Sequence, residues 1–214
     1  MKRILPLSTL LQPAKIRSLL SFGVKGYLAE IGWFNTWQNK SPLDENGNPI
    51  PWVTYSFIDF IKGRIKKDHR VFEFGSGNST FFYAKHAGNV VSVEHDQDWF
   101  NKISAKKPAN SQMVFCKLEP DAEYCRTPLS SDLKFNVIIV DGRDRVNCCM
   151  HAMNALTADG VIVLDDSERE FYLPAIHSLT NQGFKHLSFS GISPGLFYRK
   201  STSVFYKENN CLGI

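Results

Sequence analysis

From residue 70 onward, short apolar runs and helical patterns take turns along the chain, and this alternation limits the fold more than any other feature. The runs are "RVFEF" (70–74), "NVVSVEH" (89–95), "QMVFCKL" (112–118), "FNVIIVD" (135–141) and "VIVLDD" (161–166). Between them "STFFYAKHA", "DWFNKISAK" and "VNCCMHAMNALT" read as helices, the last closed by Gly160. "EREFYLPAIHSLTNQ" follows the fifth run as a helix, with Pro174 in its early turns and Gly183 as its stop. Strands joined by helices pair in parallel and bury both faces. Two last runs, "FKHLSFSG" and "STSVFYK", are joined by "ISPGLFYRK", which leaves no room for a helix, so they are expected to pair antiparallel. The expected fold is α/β: a doubly wound, mostly parallel seven-stranded sheet with an antiparallel last strand.

Residues 1–69 lack the alternation. Helices are expected near 13–21 and 53–67, separated by the turn-rich "NKSPLDENGNPIPW". The chain therefore divides into an N-terminal helical extension or lid (1–69) and a sheet domain (70–214). Its 214 residues are enough for one full core.

Open sheets of this kind bind ligands beyond the carboxyl ends of their strands. Gly75 and Gly77, in "VFEFGSGNST", stand there after the first strand. A dinucleotide turn places a third glycine where this chain has Thr80, and a phosphate loop ends in a lysine that is absent here. Glu73 lies two positions before Gly75, where a carboxylate repels a pyrophosphate and attracts a cation. S-adenosylmethionine carries an ammonium and a sulfonium and no phosphate. Glu94 ends the second strand 19 residues after Gly75, the distance at which an acid reaches ribose hydroxyls.

On these residues the chain resembles the class I S-adenosylmethionine-dependent methyltransferases, which have a Rossmann-like fold. "VFEFGSGNST…VVSVEHD" is similar to the first two motifs of that family, "NVIIVDG" to its fourth strand and "DGVIVLDD" to its fifth. The resemblance covers roughly residues 70–207, and "GYLAEIGWFNTW…DENGNPIPWVTYSFIDFI" is similar to the N-terminal part of a bacterial subgroup. It implies that Gly75 to Gly77 wrap the methionine part of S-adenosyl-L-methionine, within a cofactor-binding set of Glu73, Phe74, Gly75, Ser76, Gly77, Ser79, Thr80, Glu94, His95 and Asp141. It further implies that Glu94 holds the ribose, that His95 and Asp96 lie beside the adenosine, and that Glu119 to Ala122 border the adenine.

Methyl transfer needs a nucleophile aligned with the methyl and a group to take its proton. Asp141 ends strand four, where the family places groups beside the methyl; Asp165 and Asp166 end strand five. Asp141, Asp166 and Arg143 are the catalytic candidates, and Arg143 or Arg145 could bind an anionic substrate group. Hard oxygen ligands suit Mg²⁺ or Ca²⁺, and "VDGRDR…VLDD" is similar to metal-dependent O-methyltransferases, so Asp141, Asp165 and Asp166 are candidate Mg²⁺ ligands. The alternative is that these acids cap, hydrogen-bond or hold cofactor without a metal. "VDGR" stands where amino-methylating DNA enzymes carry an Asn-Pro-Pro-Tyr-like tetrapeptide, and no Pro-Cys nucleophile is present. A hydroxyl on a small molecule or a glycan is the expected acceptor. Trp52, Tyr55 and Tyr198 are the candidate substrate contacts, flat surfaces for a sugar or aromatic ring. Two other functions compete: a cofactor-binding protein of this fold without catalysis, and an NAD-dependent oxidoreductase.

The net charge of +4 is modest, and Lys and Arg are scattered with small clusters at Lys62 to Arg70 and Lys102 to Lys107, so a solvated surface is expected rather than the concentrated basic face of a nucleic-acid binder. Five cysteines, none in a C-x-x-C pair, fit idle thiols in a reducing cytoplasm. The opening "MKRILPLSTLLQPAKIRSLL" is broken by Pro6, Ser8 and Thr9 and reads as a weakly amphipathic helix on the domain, with a membrane-surface role as the minority reading. No window has the apolar length of a spanning helix, and a homo-oligomer is compatible with the sequence.

Overall fold

The structure, a computed structural model, describes residues 8, 12–21, 24–130 and 132–214. Half of the opening stretch, residues 1–7 and 9–11, lies outside them; its described part forms a helix, Pro13–Leu20, that has no buried residue. Among the described residues no helix is long and apolar enough to cross a membrane.

The extension contributes α1 (Pro13–Leu20), α2 (Tyr27–Glu30), α3 (Trp33–Asn39) and α4 (Tyr55–Lys62). The sheet domain follows as β1 (Arg70–Phe74), α5 (Asn78–His86), β2 (Asn89–Glu94), α6 (Gln97–Ser104), β3 (Ser111–Phe115) and α7 (Glu123–Arg126). It continues with β4 (Phe135–Val140), α8 (Arg145–Ala152), β5 (Leu156–Asp165), α9 (Leu173–Asn181), β6 (Lys185–Gly191) and β7 (Lys200–Tyr206).

All seven strands join one sheet in the order β3-β2-β1-β4-β5-β7-β6. β1 to β5 pair in parallel, and β7 enters antiparallel between β5 and β6. This is the expected fold class. The order reverses between β1 and β4, which opens a crevice at their carboxyl ends. The antiparallel entry of β7 also brings the loop 192–199 to that edge, because Asp165 pairs with Thr202 and Gly191 with Lys200.

Alternate residues of each strand divide between two cores, as the pleat requires. Val71, Val90, Val137, Ile139, Val163 and Val204 face Phe57 and Ile61 of α4 and Phe82 and Tyr83 of α5. Phe72, Phe74, Val93, Ile138, Val140 and Leu164 face Cys148 and Cys149 of α8 and Ala175 and Leu179 of α9. Those two cysteines are therefore core, as their helical placement implied. The extension shares the first core through Trp33, Ile50 and Val53.

Three local expectations are corrected. Gly160 does not close a helix: α8 ends at Ala152 and β5 already runs through Gly160. A Cβ there would stand 2.9 Å from the Phe135 carbonyl, so the glycine admits close strand contact. The helix after β5 starts at Leu173, later than expected. α3 was not expected, since "WFNTWQN" has weak helix formers. Burial sustains it: Trp33 is 3% exposed and donates from Nε1 to the Leu196 carbonyl at 3.0 Å.

Candidate functional site

The crevice between β1 and β4 holds a cavity of about 300 Å³ lined by Glu73 to Ser76, Ser79, Glu94, His95, Asp141 to Arg143 and Arg145. Two glycines make it. Gly75 has φ +96°, and a Cβ on Gly142 would lie 2.2 Å from the Tyr124 hydroxyl and 2.9 Å from the Phe74 carbonyl carbon. Only residues without side chains let the β1 and β4 turns pass this closely. Gly142 escaped the sequence reading, although it follows Asp141 directly.

Glu73 is 1% exposed, and its Oε2 accepts from Thr80 Oγ1 at 2.7 Å and from Ser92 Oγ at 2.8 Å. Thr80 Oγ1 also accepts from the Gly77 N–H at 3.1 Å. The threonine in place of a third glycine thus ties the turn to the carboxylate. Burial raises the Glu73 pKa from 4.5 to about 7, against the hydrogen bonds that lower it.

Glu94 is buried at the end of β2. Its Oε2 accepts from Ser76 Oγ at 2.9 Å, and its Oε1 accepts from the backbone N–H groups of His95 and Asp96 at 2.8 and 3.0 Å. His95 lines the cavity, whereas Asp96 caps α6 by accepting from the Trp99 N–H at 2.8 Å. A second depression of about 460 Å³ shares Glu94, His95 and Arg143 with the first and adds Asp96, Asp98, Trp99 and Lys102. The two form one cleft. Trp99 was missed; its indole donates to the Ser76 carbonyl at 2.9 Å and leaves the ring 39% exposed. The stretch Glu119 to Ala122 lies outside both linings.

The acids at the ends of β4 and β5 are arranged differently from one another. Asp141 lines the cavity, and its Oδ1 pairs with Arg145 Nη2 at 3.0 Å. Burial, then the Asp165 charge, raises its pKa well above the ordinary value, although Arg145 and Lys200 oppose them. Asp165 is fully buried; its Oδ2 accepts from Lys200 Nζ at 2.7 Å and its Oδ1 from Thr202 Oγ1 at 2.7 Å. Asp166 is met by Arg169 Nη2 at 2.8 Å, Lys200 Nζ at 2.8 Å and Arg145 Nη1 at 3.3 Å. Burial pulls the Lys200 pKa down, but contact with Asp165 and Asp166 outweighs it and raises it above the ordinary value.

These distances correct two expectations. Asp166 is not on the cavity wall, so it has no route to a reacting group. Asp141, Asp165 and Asp166 do not fit Mg²⁺, because Arg145, Arg169 and Lys200 already supply the cations that a metal would. Arg145, rather than Arg143, organises this edge: Nε donates to the Gly142 carbonyl at 3.0 Å and Nη1 to the Asp165 carbonyl at 2.7 Å. Arg143 is exposed on the cavity rim.

The candidate substrate contacts separate. Trp52 is 41% exposed and donates from Nε1 to the Pro194 carbonyl at 2.7 Å, beside the loop that carries the exposed Tyr198. Tyr55 is buried, and its ring lines a separate cavity of about 220 Å³ with Glu30, Ile50, Asp59, Lys85 and His86. The substrate role expected for Tyr55 on the rim is therefore withdrawn.

Strand order and cleft position define the fold of the α/β methyltransferases, and solved structures agree. The cofactor-bound protein Rv0187 from MTB is similar with a TM-score of 0.55 and 17% identity over 93% of this chain and 99% of that one. An rRNA methylase from Streptococcus thermophilus has a TM-score of 0.52 and 14% identity, over 70% and 92% of the two chains. A precorrin-6y C5,15-methyltransferase from Geobacter metallireducens GS-15 has a TM-score of 0.51 and 14% identity, over 72% and 87%. At these identities the likeness establishes the fold. No protein-family model matches the chain. No curated protein matches it significantly.

Proposed function

We propose that the protein is an S-adenosylmethionine-dependent methyltransferase acting on a hydroxyl of a small molecule or glycan, without a metal. The observation that carries this reading is the buried Glu73 carboxylate beneath the glycine turn. The bonds from Thr80 and Ser92 both fall on Oε2, Ser79 also serves the carboxylate, and Oε1 would accept from the ammonium of a ligand. The donor set fits a cationic, phosphate-free group. A pyrophosphate at the same place would face a carboxylate at low dielectric.

Glu94 would hold the ribose hydroxyls, with Ser76 giving up its bond to Oε2. His95 and Trp99 would flank the adenosine in the outer depression. S-adenosylmethionine, when bound, supplies an electrophilic methyl group. Asp141 is the one carboxylate of the β4–β5 edge that lines the cavity, and it would receive the proton of the acceptor hydroxyl. Arg145 fixes its orientation. Trp52 and Tyr198 would form the acceptor side of the cleft, and Arg143 would meet an anionic group on it. The placement of "VDGR" after β4 supports an oxygen acceptor over a base amine. The five free cysteines support a reducing, cytoplasmic setting.

Calorimetry with S-adenosylhomocysteine and with NAD tests the cofactor; NAD binding alone would defeat the reading. A cofactor-consumption screen over hydroxyl-bearing sugars and phenols, with a structured RNA as the contrasting acceptor, tests the substrate class. In a working assay Asp141→Asn separates catalysis from mere binding, since unchanged turnover would remove Asp141 from the chemistry.

A further inference from the structure

Outside the cleft, three side chains of different chemistry converge where α7 meets the end of α8. Asp121 precedes α7, Cys125 lies within it, and His151 sits in the last turn of α8. His151 Nε2 is 2.8 Å from Asp121 Oδ1, and Cys125 Sγ is 3.7 Å from the same oxygen. One ligand atom from each residue falls within 4.8 Å of the others.

We propose that Asp121, Cys125 and His151 bind a transition-metal ion of the Zn²⁺ type. A thiolate, an imidazole and one carboxylate form a borderline-soft set that suits Zn²⁺ or Co²⁺ and not Mg²⁺ or Ca²⁺. Tetrahedral coordination at about 2.0–2.3 Å requires ligand atoms roughly 3–4 Å apart, close to the spacing already present. Three protein ligands leave a fourth position for water. The thiol now donates to the Ala122 carbonyl at 3.0 Å, so metal binding releases that proton to solvent.

The surrounding charge favours a dication. Asp144 Oδ2 accepts from the Asp121 N–H at 2.9 Å, and Arg126 Nη2 pairs with Asp121 Oδ1 at 2.9 Å. Two carboxylates against one guanidinium leave a net negative charge, which a dication with one thiolate brings to neutrality. At the β4–β5 edge Arg145, Arg169 and Lys200 crowd the acids, whereas at Asp121 a single guanidinium does. Arg126 is 43% exposed, so solvent can take over the guanidinium when a dication displaces it from Asp121 Oδ1.

The test uses tag-free full-length protein freed of metal by chelation. Co²⁺ titration should give one equivalent bound, with a near-ultraviolet thiolate-to-cobalt band, and Zn²⁺ should displace it with a dissociation constant below about 10 µM. Cys125→Ser should remove the band. His151→Gln, at a position only 23% exposed, should weaken Zn²⁺ at least about tenfold. Absence of the band, weaker binding than this in the parent protein, or parent-like Zn²⁺ affinity in His151→Gln would overturn the site. Should Cys125→Ser fail to fold, the parent band and His151→Gln decide.

Discussion

Replacing Glu73 by Gln probes the group on which the cofactor reading rests. The raised pKa means that folding disfavours the ionised carboxylate. The folded-state value, about 7, lies above the unfolded value of 4.5, so the stability linked to the protonated form is complete below pH 4.5 and is lost as pH rises to about 7. At about 1.4 kcal/mol per pH unit, the loss between pH 5 and pH 8 comes to about 2.5 kcal/mol. Gln keeps an acceptor for Thr80 and Ser92 and never ionises. Relative to the parent protein, Glu73→Gln should therefore gain about 2.5 kcal/mol from pH 5 to pH 8, or roughly 5–10 °C in Tm for a chain of this size. Thermal melts across that range, without ligand, measure it. With S-adenosylhomocysteine the order reverses. The variant loses the charged partner of the ammonium, worth about 1.5–3 kcal/mol, and should bind roughly ten- to a hundredfold more weakly. A stability difference independent of pH would refute the burial argument, and parent-like affinity would refute the ammonium contact.

Lys200→Met leaves Asp165 and Asp166 short of their shared cation and should cost about 3–5 kcal/mol in urea unfolding. Arg145→Lys keeps the charge but cannot reach Asp141, Gly142 and Asp165 together; it should cost about 1–3 kcal/mol in the same assay and lower turnover more than cofactor affinity. Gly142→Ala places a methyl against Tyr124 and the β1 backbone, and should lower Tm and reduce S-adenosylhomocysteine affinity, both read by melts with and without ligand. Trp52→Ala removes a partly exposed ring from the rim; stability should change by about 1 kcal/mol or less while the KM of an identified acceptor rises.

Alternation from Arg70 to Asp165 made the sheet legible, because a buried strand must be apolar along its length and helices must punctuate it. The places of Glu73, Gly75 and Glu94 on the cavity were legible because they stand at or just beyond the carboxyl ends of β1 and β2. Long-range pairing was not. Lys200 lies 34 positions from Asp166, and nothing in "YRKSTS" announces that its lysine neutralises "LDD". Three acids at one edge therefore read as a metal site, when the chain carries its own counterions. Tyr55 misled for a similar reason: an aromatic beside a turn-rich loop gives no sign of which side of α4 it occupies. Trp99 was hidden because a tryptophan in an amphipathic helix usually signals packing.

Lys200 and Thr202 reach the site from β7, the last strand of the sheet to leave the ribosome. Until that strand pairs with β5, Asp165 and Asp166 lack the lysine that meets them both, and Arg145 and Arg169 are the cations left to them. A nascent or truncated chain ending before residue 200 thus carries the whole glycine turn, yet its acidic edge stays unbalanced.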